Sequence, residues 1–539
     1  MSQILLEAQD IVKYYGDRKV LQCDHFKLLR GDHVGVVGLN GSGKTTFLNI
    51  LSGALLPDEG LVRRSCEIAC FAQFGEARAE IEGEHRFAGS LKLDGRATVS
   101  GGENVRLRLA EAFGGNKPVL FLDEPASNLD AEGVKLLCDE LKLAETFLLI
   151  SHDRWLLDAV CDKIVEIKDG EICSYSGNYT AYKEQSEQKL ERQRFEYQQY
   201  LGEKKRLTEA LIDRQQRAKS VKKAPSRMGN SEARLHKRAA QEKQEKIHNA
   251  QKALESRLRQ LEVKERPKNA PKVSFDFSLT DPPQNKIVIE SEGLSFAYEE
   301  GASRRSIFKD ASFQIPRGSK TAILGKNGAG KSTLFQLIAG SDERIKIAPK
   351  GKIGYFRQDF AQLDFEKTVL QNAMEQAVQT EQTMRNLLAR LLFRRDDVYK
   401  KAGVLSGGER VKLCFAKLFG SACNILLLDE PTNYLDISSI EVLQEMVCEY
   451  EGTVLFVSHD RAFCDGAATC RLIIENGKIL EEGRVSHPKT AKGMDNQEKA
   501  LLELKLAEVI SRLSMPGVPN KEELEAEYQS LLARKRELS

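Results

Sequence analysis

Between about Lys183 and Ala270 the chain is mostly charged, and its apolar residues fall at helical steps of three, four and seven. Up to Lys223 these are Leu190, Tyr197, Tyr200, Leu201, Leu207 and Leu211; further on, Leu235, Ile247, Leu254, Leu258 and Leu261 answer them. Two such narrow stripes predict a long helical hairpin. Between the arms lies Ala224-Pro225-Ser226-Arg227-Met228-Gly229-Asn230, whose proline, glycine and small polar residues supply the turn. An arm of roughly forty residues at 1.5 Å each carries the tip about 60 Å from its base.

On either side the pattern changes to short, continuous apolar runs bounded by glycines and polar loops. Val34–Val37, Val119–Leu122 and Phe147–Ile150 precede the hairpin; Thr321–Leu324, Ile425–Leu428 and Val454–Val457 follow it. Runs of this length alternating with helical segments predict an α/β fold. The order of features is the same on both sides, which divides the chain into four parts: 1–182, a hairpin linker 183–270, 271–484, and an extension 485–539. In the last, Leu502, Leu506, Val509 and Leu513 share one helical face, Pro516-Gly517 breaks it, and Leu524, Tyr528 and Leu531 begin another. This predicts a helical pair capping the second repeat.

The repeated features carry chemistry. Gly38-Leu39-Asn40-Gly41-Ser42-Gly43-Lys44-Thr45-Thr46 and Gly325-Lys326-Asn327-Gly328-Ala329-Gly330-Lys331-Ser332-Thr333 each follow an apolar run. Their spacing is that of a phosphate-binding loop: backbone N–H groups close around the phosphates, the lysine reaches the β and γ phosphates, and the Thr45 or Ser332 hydroxyl meets Mg²⁺. Candidate ATP-binding residues are therefore Gly38, Asn40, Gly41, Gly43, Lys44, Thr45 and Thr46, with Gly325, Asn327, Gly328, Gly330, Lys331, Ser332 and Thr333. Downstream come Gln73 and Gln358, each closing a short strand, then Ser100-Gly101-Gly102-Glu103 and Ser406-Gly407-Gly408-Glu409. A serine at the N-cap followed by two glycines makes an anion-binding helix end. Asp123-Glu124-Pro125 and Asp429-Glu430-Pro431 end one strand of each repeat, and Ser151-His152-Asp153-Arg154 and Ser458-His459-Asp460-Arg461 follow another. Phosphoryl transfer to water needs a phosphate cradle, a divalent ion and an oriented water, and each repeat offers groups for all three.

Charge separates the hairpin from the rest. From Lys204 to Arg238 there are 12 Lys or Arg against 3 Asp or Glu, a net +9 on a chain whose total is +2. A basic projection on an acidic body points to a polyanion, and nucleic acid is the obvious one. The N-terminus lacks a basic, apolar leader, and no run is long enough to span a bilayer, which predicts a soluble, cytoplasmic protein. The 11 cysteines are scattered without a Cys-x-x-Cys pair, so buried free thiols are expected, Cys66 and Cys70 among them.

Five matched elements in one order make both repeats resemble ATP-binding-cassette ATPase domains. The resemblance implies that Gln73 and Gln358 approach Mg²⁺ through water and that Ser100, Gly101, Gly102, Ser406, Gly407 and Gly408 contact the nucleotide held by the opposite domain. Asp123 and Asp429 become the Mg²⁺-side carboxylates, Glu124 and Glu430 the groups that polarise the attacking water, and His152 and His459 sensors of the γ-phosphate. Tyr15 and Tyr298 are the expected adenine-stacking aromatics, with Tyr14 a competitor for the first. Two ATP and two Mg²⁺ would then be sandwiched between the halves.

Tandem cassettes joined by a basic hairpin resemble the ABC-F family of ribosome-acting ATPases over nearly the whole chain. In that family the hairpin enters the tRNA exit site of the ribosome and its tip approaches the peptidyl-transferase region. This implies a monomer that contacts large-subunit rRNA and P-site tRNA through a tip including Lys222, Lys223, Arg227, Met228 and Asn230. From Gln73 to Ser100 there are 26 intervening residues, against 47 from Gln358 to Ser406. The shorter first insertion and the C-terminal extension are more similar to the antibiotic-resistance, Vga-type branch, which implies protection against pleuromutilin, lincosamide and streptogramin A drugs. A housekeeping translation factor of the same family and the ATPase subunit of a drug exporter are the alternatives, and the exporter gives no reason for a basic linker of this length. The first repeat departs from the family's Thr-Asn-His-Leu-Asp with Ala126-Ser127-Asn128-Leu129-Asp130, and the second by one residue with Thr432-Asn433-Tyr434-Leu435-Asp436.

Overall fold

The computed structural model describes residues 3–72, 101–114, 117–127, 129–220, 248–250, 252–261, 263–264, 281, 283–300, 303–357, 359–393 and 396–482. Gln73, Ser100, Gln358, the turn 224–230 with the tip residues Lys222, Lys223, Arg227, Met228 and Asn230, and the extension 485–539 lie outside these residues. The first half contains β1 (Ile4–Tyr15), β2 (Arg18–Leu29), β3 (His33–Gly38), β4 (Glu59–Arg64), β5 (Ile68–Phe71), β6 (Val119–Asp123), β7 (Phe147–Ile150), β8 (Lys163–Lys168) and β9 (Glu171–Ser176). The second contains β10 (Ile287–Glu300), β11 (Ser303–Pro316), β12 (Lys320–Leu324), β13 (Ile345–Ile347), β14 (Ile353–Phe356), β15 (Ile425–Asp429), β16 (Thr453–Val457), β17 (Cys470–Glu475) and β18 (Lys478–Glu482).

The parallel core has the same order in each half, β8-β3-β7-β6-β5 and β17-β12-β16-β15-β14. Strands β6, β7 and β16 are buried along their full length, because helices cover both faces. In the first half a single pairing of Gln22 with Glu171 fuses this core to the β1-β2-β4 layer, giving nine strands in one sheet. The second half keeps a three-stranded and a six-stranded sheet. The corresponding junction there is a hydrogen bond from Lys309 N–H to the Gly477 carbonyl at 2.9 Å.

Helix starts follow the local sequence. Asp130, Asp153, Asp436 and Asp460 each accept from the backbone N–H three residues on, fixing a helix directly after a strand and its loop. In the second half Met384, Leu387 and Leu388 of helix Glu381–Arg390 pack in one core with Phe415 and Phe419 of helix Gly407–Phe419.

The long helix runs from Tyr179 to Ser220, 42 residues, and so begins four residues before the position that its apolar stripe indicates. Tyr179 joins the core of the first half, which is why the helix starts there. Residues 248–250 and 252–260 are helical too. Arg257 lies 3.8 Å from Glu203, and Lys264 lies 3.8 Å from Glu196; a partner number that rises as the other falls is the mark of antiparallel arms. Leu207 is buried in this pairing and Leu190, Tyr197, Tyr200, Leu211, Leu254, Leu258 and Leu261 are half-buried, whereas Leu201 points outward. Nor are all the thiols buried. Cys70 is exposed because β5 alternates faces between Ala69 and Phe71, and Cys66 is half-buried just before that strand.

Candidate active site

Parallel strands bring their C-terminal ends together, and the crevice beyond those ends is where an α/β sheet binds ligands. Val36 of β3 stands beside Ile150 of β7, which stands beside Asp123 of β6. In the second half the same register puts Asp429 of β15 beside Val457 of β16. The phosphate loop, the histidine and the carboxylate pair of each half therefore leave the sheet side by side. They open into one cleft of about 1410 Å³ whose lining comes from both halves.

Each phosphate loop is closed by its own lysine. Lys44 Nζ donates to the carbonyls of Gly38 (2.8 Å) and Leu39 (3.2 Å), and Lys331 Nζ to those of Gly325 (2.8 Å) and Lys326 (3.2 Å). Burial lowers the pKa of both lysines, against the pull of Glu124 on Lys44 and of Glu430 on Lys331. Gly43 and Gly330 precede the helices at φ 103° and 105°, where a side chain is strained; a Cβ on Gly330 would also collide with Ile307. Thr46 and Thr333 line the cleft beside Thr45 and Ser332.

Thr45 Oγ1 donates to Asp123 Oδ2 at 2.8 Å, and Ser332 bonds Asp429 in the same way. One hydroxyl and one carboxylate leave most of an octahedral shell to water and phosphate oxygens, the arrangement Mg²⁺ ordinarily accepts, so the residues fit that ion. Glu124 and Glu430 both have left-handed backbones, φ 53° and 50°. Strain repeated at the same place in both halves marks a position held for function. Glu124 Oε1 is buried without a hydrogen bond, 3.3 Å from His152 Nε2; Glu430 Oε1 lies 3.1 Å from His459 Nε2, and its Oε2 is buried and unbonded. Burial raises the pKa of both glutamates against the opposing lysine charge, Glu430 to about 7. It lowers that of both histidines, His459 to about 4, so each ring is neutral at pH 7. Once ionised, a carboxyl group with an unbonded oxygen beside a neutral imidazole is equipped to take a proton from water.

The halves meet over these loops. Asn40 N–H donates to Asp436 Oδ2 at 3.1 Å, and Asn40 Nδ2 to the Tyr434 carbonyl at 2.7 Å. Tyr434 holds φ 65°, which turns that carbonyl outward. Ser406, Gly407 and Gly408 of the second half line the cleft beside Asn40, Gly41 and Gly43 of the first. A Cβ on Gly408 would lie 2.6 Å from Tyr434 O and 2.9 Å from Asn40 Nδ2, so the approach requires glycine. Across the other junction Lys326 Nζ pairs with Glu132 at 3.0 Å. Asn327, Gly328 and Gly330 line the cleft there, with Ser127 and Leu129 of the first half. Gly101 and Gly102 begin helix Gly101–Gly114.

Tyr298 lines the cleft, its hydroxyl 3.3 Å from Thr333 Oγ1. Tyr15, at the equivalent end of β1, is exposed, and neither it nor Tyr14 is among the lining residues; Val20 lines that part of the cleft. Tyr434 and Asp436, noted in the sequence only as part of the loop after Glu430-Pro431, are the residues of that loop that reach Asn40 of the other half.

The family model described as ABC transporter matches residues 21–84 and 308–433. Ribosome protection protein VmlR of Bacillus subtilis is 30% identical over 535 residues, covering 97% of this chain and 96% of that protein. Erythromycin resistance ATP-binding protein MsrA of Staphylococcus epidermidis is 33% identical over 489 residues, covering 86% and 96%. Among solved structures, RNase-L Inhibitor has the same fold, with a TM-score of 0.57 at 18% identity over 92% of this chain and 93% of that one. With its duplicated phosphate loops and carboxylate pairs, and with relatives matched along almost their whole length, the chain belongs to the ABC-F family of ATPases and hydrolyses ATP to ADP and phosphate.

Proposed function

We propose that this chain binds bacterial ribosomes in the cytoplasm and protects them from antibiotics. Its hairpin enters the tRNA exit-site region, touches large-subunit rRNA and P-site tRNA, and lowers drug occupancy at the peptidyl-transferase centre. The drugs are of the pleuromutilin, lincosamide and streptogramin A type, and ATP hydrolysis drives release. The observation that carries this reading is the match to a ribosome protection protein over 97% of the chain, a span that takes in the long helix and its basic continuation. Among the described residues no helix is long and apolar enough to cross a membrane.

The chain acts as a monomer whose domains 1–182 and 271–484 pair with each other around two ATP. In each site the phosphate loop and its lysine hold the β and γ phosphates, and Tyr298 stacks on one adenine. Thr45 and Asp123, or Ser332 and Asp429, would hold Mg²⁺, which would supply charge neutralisation for the phosphates. Glu124 or Glu430 accepts a proton from water as its oxygen bonds the γ-phosphorus and the bond to the ADP oxygen breaks; His152 or His459 keeps that carboxylate oriented. Asn40, Tyr434, Asp436 and Gly408 complete the first site across the halves.

Replacing both Glu124 and Glu430 with Gln should keep ATP binding and nearly abolish hydrolysis, leaving the closed protein on ribosomes in co-sedimentation. In a drug-sensitive host, replacing Arg227 and Met228 with Ala should lower the minimum inhibitory concentration while ATP turnover survives. Wild-type turnover in the double Gln variant would refute the site assignment. No resistance to any ribosomal drug from the intact chain would favour a housekeeping translation factor instead.

A further inference from the structure

The two halves present matched groups at their hydrolytic centres, with one difference beneath them. In the second half Thr432 follows Glu430-Pro431, and its buried Oγ1 lies 2.8 Å from the buried Oγ of Ser458. Ser458 immediately precedes His459, and its Oγ also accepts the Asp460 N–H at 3.1 Å. One hydroxyl pair thus ties the loop after β15, which carries the glutamate, to the loop after β16, which carries the histidine. In the first half the equivalent of Thr432 is Ala126, whose methyl group offers no such bond. Ser151 retains the bond from Asp153 N–H at 3.1 Å. Ser127 donates to the Glu124 carbonyl at 2.7 Å, but that bond stays within its own loop. The glutamate and histidine lie 3.1 Å apart in the second half and 3.3 Å apart in the first, and each glutamate keeps one buried oxygen without a hydrogen bond, so the tie beneath them is the difference between the two centres.

We propose that Thr432 is a positioning residue for the water-activating pair Glu430 and His459, and that its absence at Ala126 makes the first site the slower of the two. The inference rests on the roles given above to Glu124 and Glu430. One hydroxyl bond between two strand ends contributes little to overall stability, yet misplacing a reacting group lowers its rate out of proportion to the strength of the bond that held it. Its effect therefore belongs in kcat, while the phosphate loop, untouched, keeps KM.

The test is steady-state ATP turnover of the full chain carrying Thr432→Val, Thr432→Ser or Ala126→Thr. Thr432→Val, which preserves shape and removes the hydroxyl, should lower kcat about fivefold with KM within about twofold. Thr432→Ser keeps the bond and should turn over ATP at nearly the wild-type rate. Ala126→Thr should raise kcat about twofold. Should Thr432→Val fail to fold, the other two variants decide. Wild-type kcat in Thr432→Val, a loss in Thr432→Ser as large as in Thr432→Val, or no gain in Ala126→Thr would each overturn the proposal. The double variant with Gln at Glu124 and Glu430, measured alongside, separates this from failure of the underlying roles: if it still turns over ATP normally, those roles are wrong whatever Thr432 does.

Discussion

Lys183 Nζ lies 2.5 Å from Glu441 Oε1, joining the first turns of the long helix to helix Ile437–Glu449 of the opposite half. The same glutamate is 3.8 Å from Arg154, and Gln444 accepts from Arg154 at 3.3 Å. At its N-terminus that helix is capped by Asp436, which also accepts the Asn40 amide. One rigid rod of 13 residues therefore touches a phosphate loop at one end and the base of the hairpin midway. The Lys183 pair is partly exposed, so a double-mutant cycle of Lys183→Met and Glu441→Gln should give a coupling energy of about 0.5–1 kcal/mol. The measurement is the ATP concentration for half-maximal closure, by fluorescence transfer between the halves in the hydrolysis-deficient background. Strictly additive effects would mean that the pair transmits nothing.

Gly408→Ala tests how close the two halves come over the first phosphate loop. Alanine should favour helix Gly407–Phe419 by up to about 1 kcal/mol, because the substitution lies near its start and has no unusual φ to oppose it. The added methyl nevertheless intrudes on the contact of Asn40 with Tyr434. Because the nearer clash, 2.6 Å from the Tyr434 carbonyl, lies within the second half, thermal stability of the nucleotide-free protein should fall, and ATP turnover should fall at least about tenfold. Unchanged turnover would show that the halves do not come this close during hydrolysis.

The raised pKa of Glu430 gives a pH dependence with a definite sign. Its folded value, about 7, exceeds its unfolded value near 4.5, so burying the group costs nothing at pH 4 and progressively more as pH rises to 7. The cost above pH 7 is on the order of 3 kcal/mol. Glu430→Gln, neutral throughout, should therefore melt higher than wild type at pH 8 and at the same temperature near pH 4. ATP turnover of the wild type should rise with pH between 6 and 8 as the carboxylate forms. An equal melting difference at both pH values would disprove the burial effect.

Ribosome binding should weaken steeply with salt, as Lys and Arg between Lys204 and Arg238 displace counterions from RNA phosphates. Neutralising Lys222, Lys223 and Arg227 should flatten a plot of log affinity against log salt by about one unit for each RNA phosphate that no longer meets a cation. A slope equal to that of the wild type would reduce the cluster to solvated surface.

Residues close in sequence revealed their chemistry before any folding was considered. Lys44 and Gly38 are six positions apart, and the spacing of the glycines between them marked the phosphate loop that the lysine closes. The α/β class followed from short apolar runs alternating with helical segments, whereas the strand order came only from the structure. Asn40 and Tyr434 are 394 positions apart, and no local pattern pairs them; their meeting depends on how two finished domains dock. Tyr15 and Tyr298 hold equivalent strand positions and both are exposed, but only Tyr298 is among the residues lining the cleft, a difference that strand position does not give. Thr432 and Ala126 looked like a variation in a loop until Ser458 was found beneath the former.

The long helix also has a gain. Its 42 residues span about 63 Å, so each degree of tilt at Tyr179 moves Ser220 by about 1.1 Å. A rotation too small to disturb the packing of either half is enlarged at the far end to the width of an atom or more. Slack is enlarged equally, which accounts for the fastenings at the near end. Asp158 accepts from both the amide and the hydroxyl of Thr180 at 2.7 Å, one residue after the helix begins, and Glu441 holds Lys183 a turn later. Stiffness at the near end, where displacement is least, limits the slack that reaches Ser220.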